Sequence, residues 1–360
     1  MNLQILNVLP LARFSKFTQW IFLGMITYLV YRVIDWMHLP AALLLGPMIA
    51  GILMMSFDSS IRLPKMTMSI SQAIIGCMVG NSLTPEIVAM FLDQWFIFLG
   101  FGLMTLLLSI LLGWSIGQLG ILKGTTAIWG LLPGAASTMV SLAEEFGADP
   151  RLVAFMQYLR VFIVTIAAAL VARFWGHVPF TLDHHVSWFE PFHWNAFAVT
   201  LTIVALSLTA MLVPKFSGGI IILAIGIAAM VHLGGFSKIE IPYWLSALAF
   251  AMVGWSVGLR FTKEVLRAAA QALPQAVISI LILILFCGGL AVILTSYLGI
   301  DPLSAYLATS PGGMDSVAII AASTKVDLAF VLTLQLARFL VTLVIGPGLS
   351  KKIASISRKR

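Results

Sequence analysis

The sequence predicts an all-α polytopic membrane protein made of two homologous six-element repeats, inverted relative to each other, with discontinuous helices and 10 to 12 membrane crossings. Three observations predict it. Of the 360 residues, 60% are hydrophobic and 10% charged, and the mean hydropathy is +1.04, which a water-soluble globular chain of this size does not tolerate. The apolar residues are gathered into runs suited to helices in a bilayer. Finally, sliding the chain against itself by 178 residues aligns 20 to 172 with 198 to 350 without a gap. At that offset Gly76 meets Gly254, Gly80 meets Gly258, Thr84 meets Thr262, Glu86 meets Glu264, Pro133 meets Pro311, and Gly134 meets Gly312. Asp149 meets Asp327, Gln157 meets Gln335, and Arg160 meets Arg338. Apolar bias alone does not align Gly, Pro, Gln and Arg in this way, so the chain reads as an internal duplication. The expected divisions are a first membrane repeat at 1–174, an interfacial linker at 175–195, a second membrane repeat at 196–350 and a basic cytoplasmic tail at 351–360.

Taken in order, the apolar runs of the first half fall near 18 to 37, 41 to 57, 67 to 83, 90 to 117, 124 to 146 and 150 to 173. Those of the second fall near 196 to 213, 217 to 233, 241 to 259, 266 to 298, 303 to 323 and 328 to 349. Several are shorter than the roughly 20 residues a bilayer requires, so twelve elements need not mean twelve crossings. In the third and ninth elements, Gly76-x-x-x-Gly80 and Gly254-x-x-x-Gly258 suit close helix packing. The fifth and eleventh elements are interrupted, by Pro133-Gly134 and by Pro311-Gly312-Gly313. The sixth opens with Asp149 as an N-cap and Pro150 at the first helical position, and Asp327 repeats the cap in the twelfth. In the linker, His177, His184, His185 and His193 stand among aromatic residues. Adjacent histidines without a framework do not make a metal site, so an interfacial linker is expected.

The first twenty residues lack the basic, apolar, small-residue order of a cleaved signal peptide. Cys77 and Cys287 lie in apolar runs and are expected to pack as small buried groups without a disulfide. The net charge of +7 comes from Lys and Arg scattered over loops and the tail, which suits cytoplasmic loops and anionic lipid and not a nucleic-acid-reading face. If all twelve elements cross with both termini inside, twelve Lys and Arg fall inside and six outside, with Arg32, Arg160 and Arg338 left out as residues within spans. If the broken element of each half dips in and returns, the count becomes fifteen and three, and the repeats become inverted. The second arrangement fits the positive-inside rule better. It is also the common plan of secondary transporters, with the site where the two breaks meet near the midplane.

The candidate site follows from these breaks. Arg160 is the eleventh residue from Pro150 and Arg338 the eleventh from Leu328, so each sits roughly 15 Å along its helix, at mid-membrane. Gln157 shares a helix face with Arg160, and Gln335 with Arg338. Two readings are open. The arginines form a paired anion site, or each ties the broken helix of its own half through freed carbonyls or Asp315. After the breaks come Ser137 and Thr138 in one half and Asp315 and Ser316 in the other, where a half-helix start turns free N–H groups toward an anion. Thr309 and Ser310 can add oxygen ligands. Asp315, whose counterpart is Ser137, can carry a proton, coordinate sodium or pair with an arginine.

The segments LPAALLLGPMIAG at 39–51, GADPRLVAFMQYLR at 147–160 and AYLATSPGGMDSVAIIAAS at 305–323 resemble the AbrB-type duplicated membrane family. That family has been treated as transporter-like or as a regulator of gene expression, and has also been labelled an ammonia monooxygenase. The expectation is a secondary transporter of a small anionic or polar metabolite, coupled to protons or sodium, in the bacterial inner membrane with both termini cytoplasmic. The alternative is a membrane-embedded regulator acting through a partner. An oxidising enzyme would need a metal or cofactor site, and no His, Cys or carboxylate cluster has ligand spacing, so neither catalysis nor a cofactor is expected. The expected partners are a small-molecule or ion substrate and the lipid bilayer, with a homo-oligomer left open.

Overall fold

A computed structural model of the chain is all-helical. It describes residues 11–37, 42–118, 125–133, 139, 143, 147–175, 193–209, 219–270, 272–312, 314–322, 324 and 326–357, and among these there is no strand. After a 3-10 turn at Leu11–Arg13 come α1 (Lys16–Trp36), α2 (Ala42–Ser56), α3 (Lys65–Asn81), α4 (Pro85–Asp93), α5 (Trp95–Gln118), α6 (Thr126–Leu131) and α7 (Pro150–Trp175). Then follow α8 (Trp194–Leu208), α9 (Gly219–Leu233), α10 (Tyr243–Gly258), α11 (Lys263–Ala269), α12 (Leu273–Leu298), α13 (Pro302–Thr309), α14 (Met314–Ala322) and α15 (Leu328–Ser357).

Among the described residues, α1, α5, α12 and the Pro150–Arg173 part of α7 are long and apolar enough to cross a membrane. Leu29 on α1, Leu107 and Leu111 on α5 and Leu285 on α12 are exposed at the surface. Apolar faces of this extent are stable in hydrocarbon and a liability in water. Local chemistry sets the helix ends. Asp149 Oδ1 accepts from the Arg151 and Leu152 N–H groups at 2.9 and 3.4 Å, and Asp327 Oδ1 accepts from Phe330 N–H at 3.0 Å. Asp301 caps α13 by accepting from Ser304 N–H at 2.9 Å, with Pro302 next in the chain.

Two expected elements resolve differently. The run at 90–117 belongs to two helices, α4 and α5, because Asp93-Gln94 interrupts it. The run at 266–298 likewise divides into α11, capped by the Thr262 hydroxyl at Val265 N–H, and α12, which restarts at Leu273-Pro274 where a missing N–H costs nothing.

The glycine pairs are where helices meet. A Cβ on Gly76 would lie 2.6 Å from Ala224 Cβ, and one on Gly80 would lie 2.5 Å from the Ile225 carbonyl, so α3 and α9 are in backbone contact. A Cβ on Gly254 would lie 2.5 Å from the Leu44 carbonyl, and one on Gly258 would lie 2.2 Å from that of Met48, so α10 meets α2 in the same way. α5 runs along α15, with Gly102 facing the Arg338 backbone and the Phe98 and Phe330 rings 5.7 Å apart. α7 packs on α6 and also on α12, α13 and α14. The helices carrying Arg160 and Arg338 are therefore each in contact with the other half of the chain.

Candidate binding site at two broken helices

Helix α6 ends at Leu131 just before Pro133, and α13 ends at Thr309 just before Pro311. Each ending leaves carbonyls without a helical partner, and these ends are buried, with Trp129, Leu131 and Leu132 at 0% exposure and Thr309 and Ser310 close to it. Buried carbonyls need donors. In the first half Gln157 Nε2 donates to the Trp129 and Leu132 carbonyls at 2.8 and 3.0 Å. Arg160 Nη1 donates to those of Leu131 and Leu132 at 3.2 and 2.7 Å, and its Nη2 to Gln157 Oε1 at 3.0 Å.

The second half repeats this net 178 positions on. Gln335 Nε2 donates to the Leu307 and Ser310 carbonyls at 2.8 and 3.1 Å. Arg338 Nη1 donates to the Thr309 and Ser310 carbonyls, and Nη2 to Gln335 Oε1 and, at 3.0 Å, to the Gly312 carbonyl. The helix-tying reading of the arginines is thus satisfied in bonds. It does not exhaust them.

A guanidinium offers five N–H donors. Among the described residues Arg160 uses three and Arg338 four, and in both the Nε–H is buried with no hydrogen-bond partner there. The two side chains lie in positions only 1% and 3% exposed, and neither has a carboxylate within ion-pair distance among the described residues. They are near enough to feel each other's charge, and Cys287 lies within electrostatic reach of both. Two buried cations with no counter-charge among the described residues are costly, and an anion held by both would relieve that cost.

The remaining predicted residues fall as follows. Pro133 and Pro311 are buried at the breaks. The Thr309 hydroxyl donates to the Cys287 and Ala305 carbonyls, both at 2.9 Å, and the Ser310 hydroxyl to that of Leu307 at 2.9 Å. Gly134, Ser137, Thr138 and Gly313 lie outside the described residues. Asp315 and Ser316 stand in the first turn of α14, and their side chains lie outside the description. Asp149 and Asp327 serve as caps, and their N–H groups donate to Thr126 Oγ1 and Ser304 Oγ at 3.2 and 3.1 Å, fastening each arginine helix to the start of the broken one. Sequence reasoning missed Cys287 and Gly102. The first carries no signal beyond an apolar context, and the second is a small residue whose role depends on a helix far away in the chain.

Apolar helices with exposed aliphatic faces, and helix breaks locked by buried Gln and Arg, define a helical protein of the membrane-spanning class. The family model for "Transition state regulatory protein AbrB" matches residues 43–354, and the chain belongs to that family. A protein of Escherichia coli strain K12 named "Putative regulator AbrB" is 41% identical over 324 residues, covering 90% of this chain and 93% of its own length. "Uncharacterized protein YhjN" of Bacillus subtilis strain 168 is 24% identical over 296 residues, or 78% of this chain and 77% of its own.

Proposed function

We propose that the protein is a secondary transporter of a small anionic or polar metabolite, coupled to protons or sodium, whose substrate is held between the two broken helices. The observation that carries this reading is the pair of buried guanidinium groups, each with an N–H that has no hydrogen-bond partner and with no carboxylate in ion-pair distance among the described residues. A carboxylate accepts such donors in a bidentate fork and cancels the charge they leave exposed to low dielectric. The half-helix α14 begins just beyond the second break and adds the positive end of its dipole. Asp315 in its first turn is the candidate coupling group, and Ser137 and Thr138 are candidate ligands from the first half.

We read the architecture as two inverted repeats with re-entrant broken elements, and two observations support this. The hydrogen bonds at the breaks recur at an offset of 178 residues. Arg62, Arg151 and Arg260 also line one cavity, and Lys263 bridges Asp58 at 2.5 Å. Twelve alternating crossings would put Arg151, Arg260 and Lys263 on the opposite side of the bilayer from Arg62 and Asp58, whereas re-entrant breaks put all five on one side. On this reading there are five crossings per half, 196–350 repeats 1–174, and alternating access rocks one bundle against the other around the fixed site.

The test is a thermal-stabilisation screen of the purified protein against organic acids, amines and inorganic ions, followed by flux of the best ligand in proteoliposomes. Stabilisation by carboxylates that is absent in Arg160→Gln supports the site; stabilisation by amines alone refutes it. A second reading, a membrane-embedded regulator, is favoured by the names of the family model and of the Escherichia coli relative. Removing residues 351 to 360 separates the two: a regulator loses its signal with flux intact, while a transporter keeps its flux and has no signal to lose.

A further inference from the structure

A cavity of about 500 Å³ opens where the start of α7 meets the loops before α3 and after α10, and Arg62, Arg151, Tyr158 and Arg260 are among the residues that line it. Three guanidinium groups around one space repel one another, so the cluster is unfavourable when empty. No contact among the described residues cancels the charge. Arg62 donates to the Ile61 carbonyl at 3.0 Å and touches Met55 Sδ, Arg260 lies over the Tyr158 ring at 5.0 Å, and the Arg151 guanidinium makes neither a hydrogen bond nor an ion pair among the described residues. Of the described carboxylates in these loops, Asp58 pairs with Lys263 and Asp149 accepts from the backbone N–H groups of Arg151 and Leu152.

The 178-residue correspondence makes this charge informative. The counterparts of Arg62, Arg151 and Arg260 are Glu240, Ala329 and Ser82, and that of Tyr158 is Leu336. A part needed only to pack helices would recur with the helices, as the glycine pairs and the Gln-x-x-Arg net do. The basic cluster does not recur at the equivalent positions of the other half.

We propose that this cavity binds a phosphate-bearing anion, gripped by the forks of Arg62, Arg151 and Arg260 with the Tyr158 hydroxyl as a further donor. Three cations match a ligand with two or more negative charges and several acceptor oxygens, which a phosphoryl group supplies and a lone carboxylate does not. A volume of this size holds a small phosphorylated molecule or the headgroup of an anionic lipid. The site is independent of the transport reading, so ligand binding here persists in Arg160→Gln.

The experiment uses the full-length protein in two arms. In phosphatidylcholine nanodiscs it is titrated calorimetrically with glycerol phosphate against a background of chloride at constant ionic strength. In the other arm, native mass spectrometry counts phosphatidylglycerol retained from mixed-lipid discs. Saturable binding in the first arm that Arg151→Gln or Arg260→Gln weakens ~10-fold or more, the loss of one charge-assisted contact, supports a soluble ligand. Retained lipid that the same variants release supports a headgroup. Lys238→Gln, exposed and away from the cavity, controls for net charge and changes neither. Because the substituted arginines are exposed and their repulsion is screened by water, unliganded melting of the single variants is expected at or slightly above the wild-type value. Wild type and arginine variants behaving alike in both arms, or Lys238→Gln weakening binding as much as they do, overturns the proposal.

Discussion

Arg160 and Arg338 hold equivalent places and are unequally used, which separates their roles. Arg338 supplies three backbone carbonyls and Gln335 Oε1, and Arg160 supplies two carbonyls and Gln157 Oε1. An unsatisfied buried carbonyl costs about 1–3 kcal/mol, so Arg338→Gln is expected to lower thermal stability in detergent more than Arg160→Gln. Ligand affinity is expected to rank the other way, because among the described residues Arg160 has two N–H groups without a partner to Arg338's one. Equal losses of stability in the two variants would mean that the Gly312 bond, which has no counterpart among the described residues of the first half, has no energetic weight. Thermal unfolding and calorimetric titration of the two proteins measure both rankings. The Gln and Arg positions were legible in the sequence because charge at membrane depth calls for a reason. Their acceptors were not, since a carbonyl belongs to every residue and leaves no trace in residue type.

Among the elements, helix contact through glycine is the feature most sharply exposed to substitution. A Cβ at 258 would lie 2.2 Å from the Met48 carbonyl, which is backbone and cannot swing aside. Gly258→Ala is expected to destabilise by about 1–3 kcal/mol through overpacking of α10 on α2. Gly24→Ala on α1, where nothing lies within 4 Å, is the control and should be neutral or slightly stabilising. Parity of the two variants in thermal unfolding would dissolve the close-packing account. These glycines and the Pro-Gly breaks could be read beforehand because each residue type has a mechanical meaning in a helix. The divisions at Asp93-Gln94 and at Ala272-Leu273 could not, because two or three ordinary residues suffice to turn the chain inside an otherwise apolar run. The cavity of Arg62, Arg151 and Arg260 was hidden for another reason: its members are far apart in sequence and only folding brings them together.

At the scale of the molecule, side and site are linked. If the broken elements are re-entrant, cysteines introduced at 62, 151 and 260 are all labelled by an impermeant maleimide from one side of the membrane and one at 238 from the other. The native Cys77 and Cys287 are buried and should give little background. Labelling of positions 62 and 151 from opposite sides would require every element to cross and would end the inverted arrangement. The same arrangement makes the two arginine nets halves of a single shared site. The most direct test is uptake of radiolabelled carboxylates into proteoliposomes holding the wild type, each single Arg→Gln variant, or the double variant, all verified as folded. The account predicts saturable wild-type uptake that either substitution reduces strongly and the double substitution abolishes; uptake by the folded double variant at the wild-type rate would contradict it.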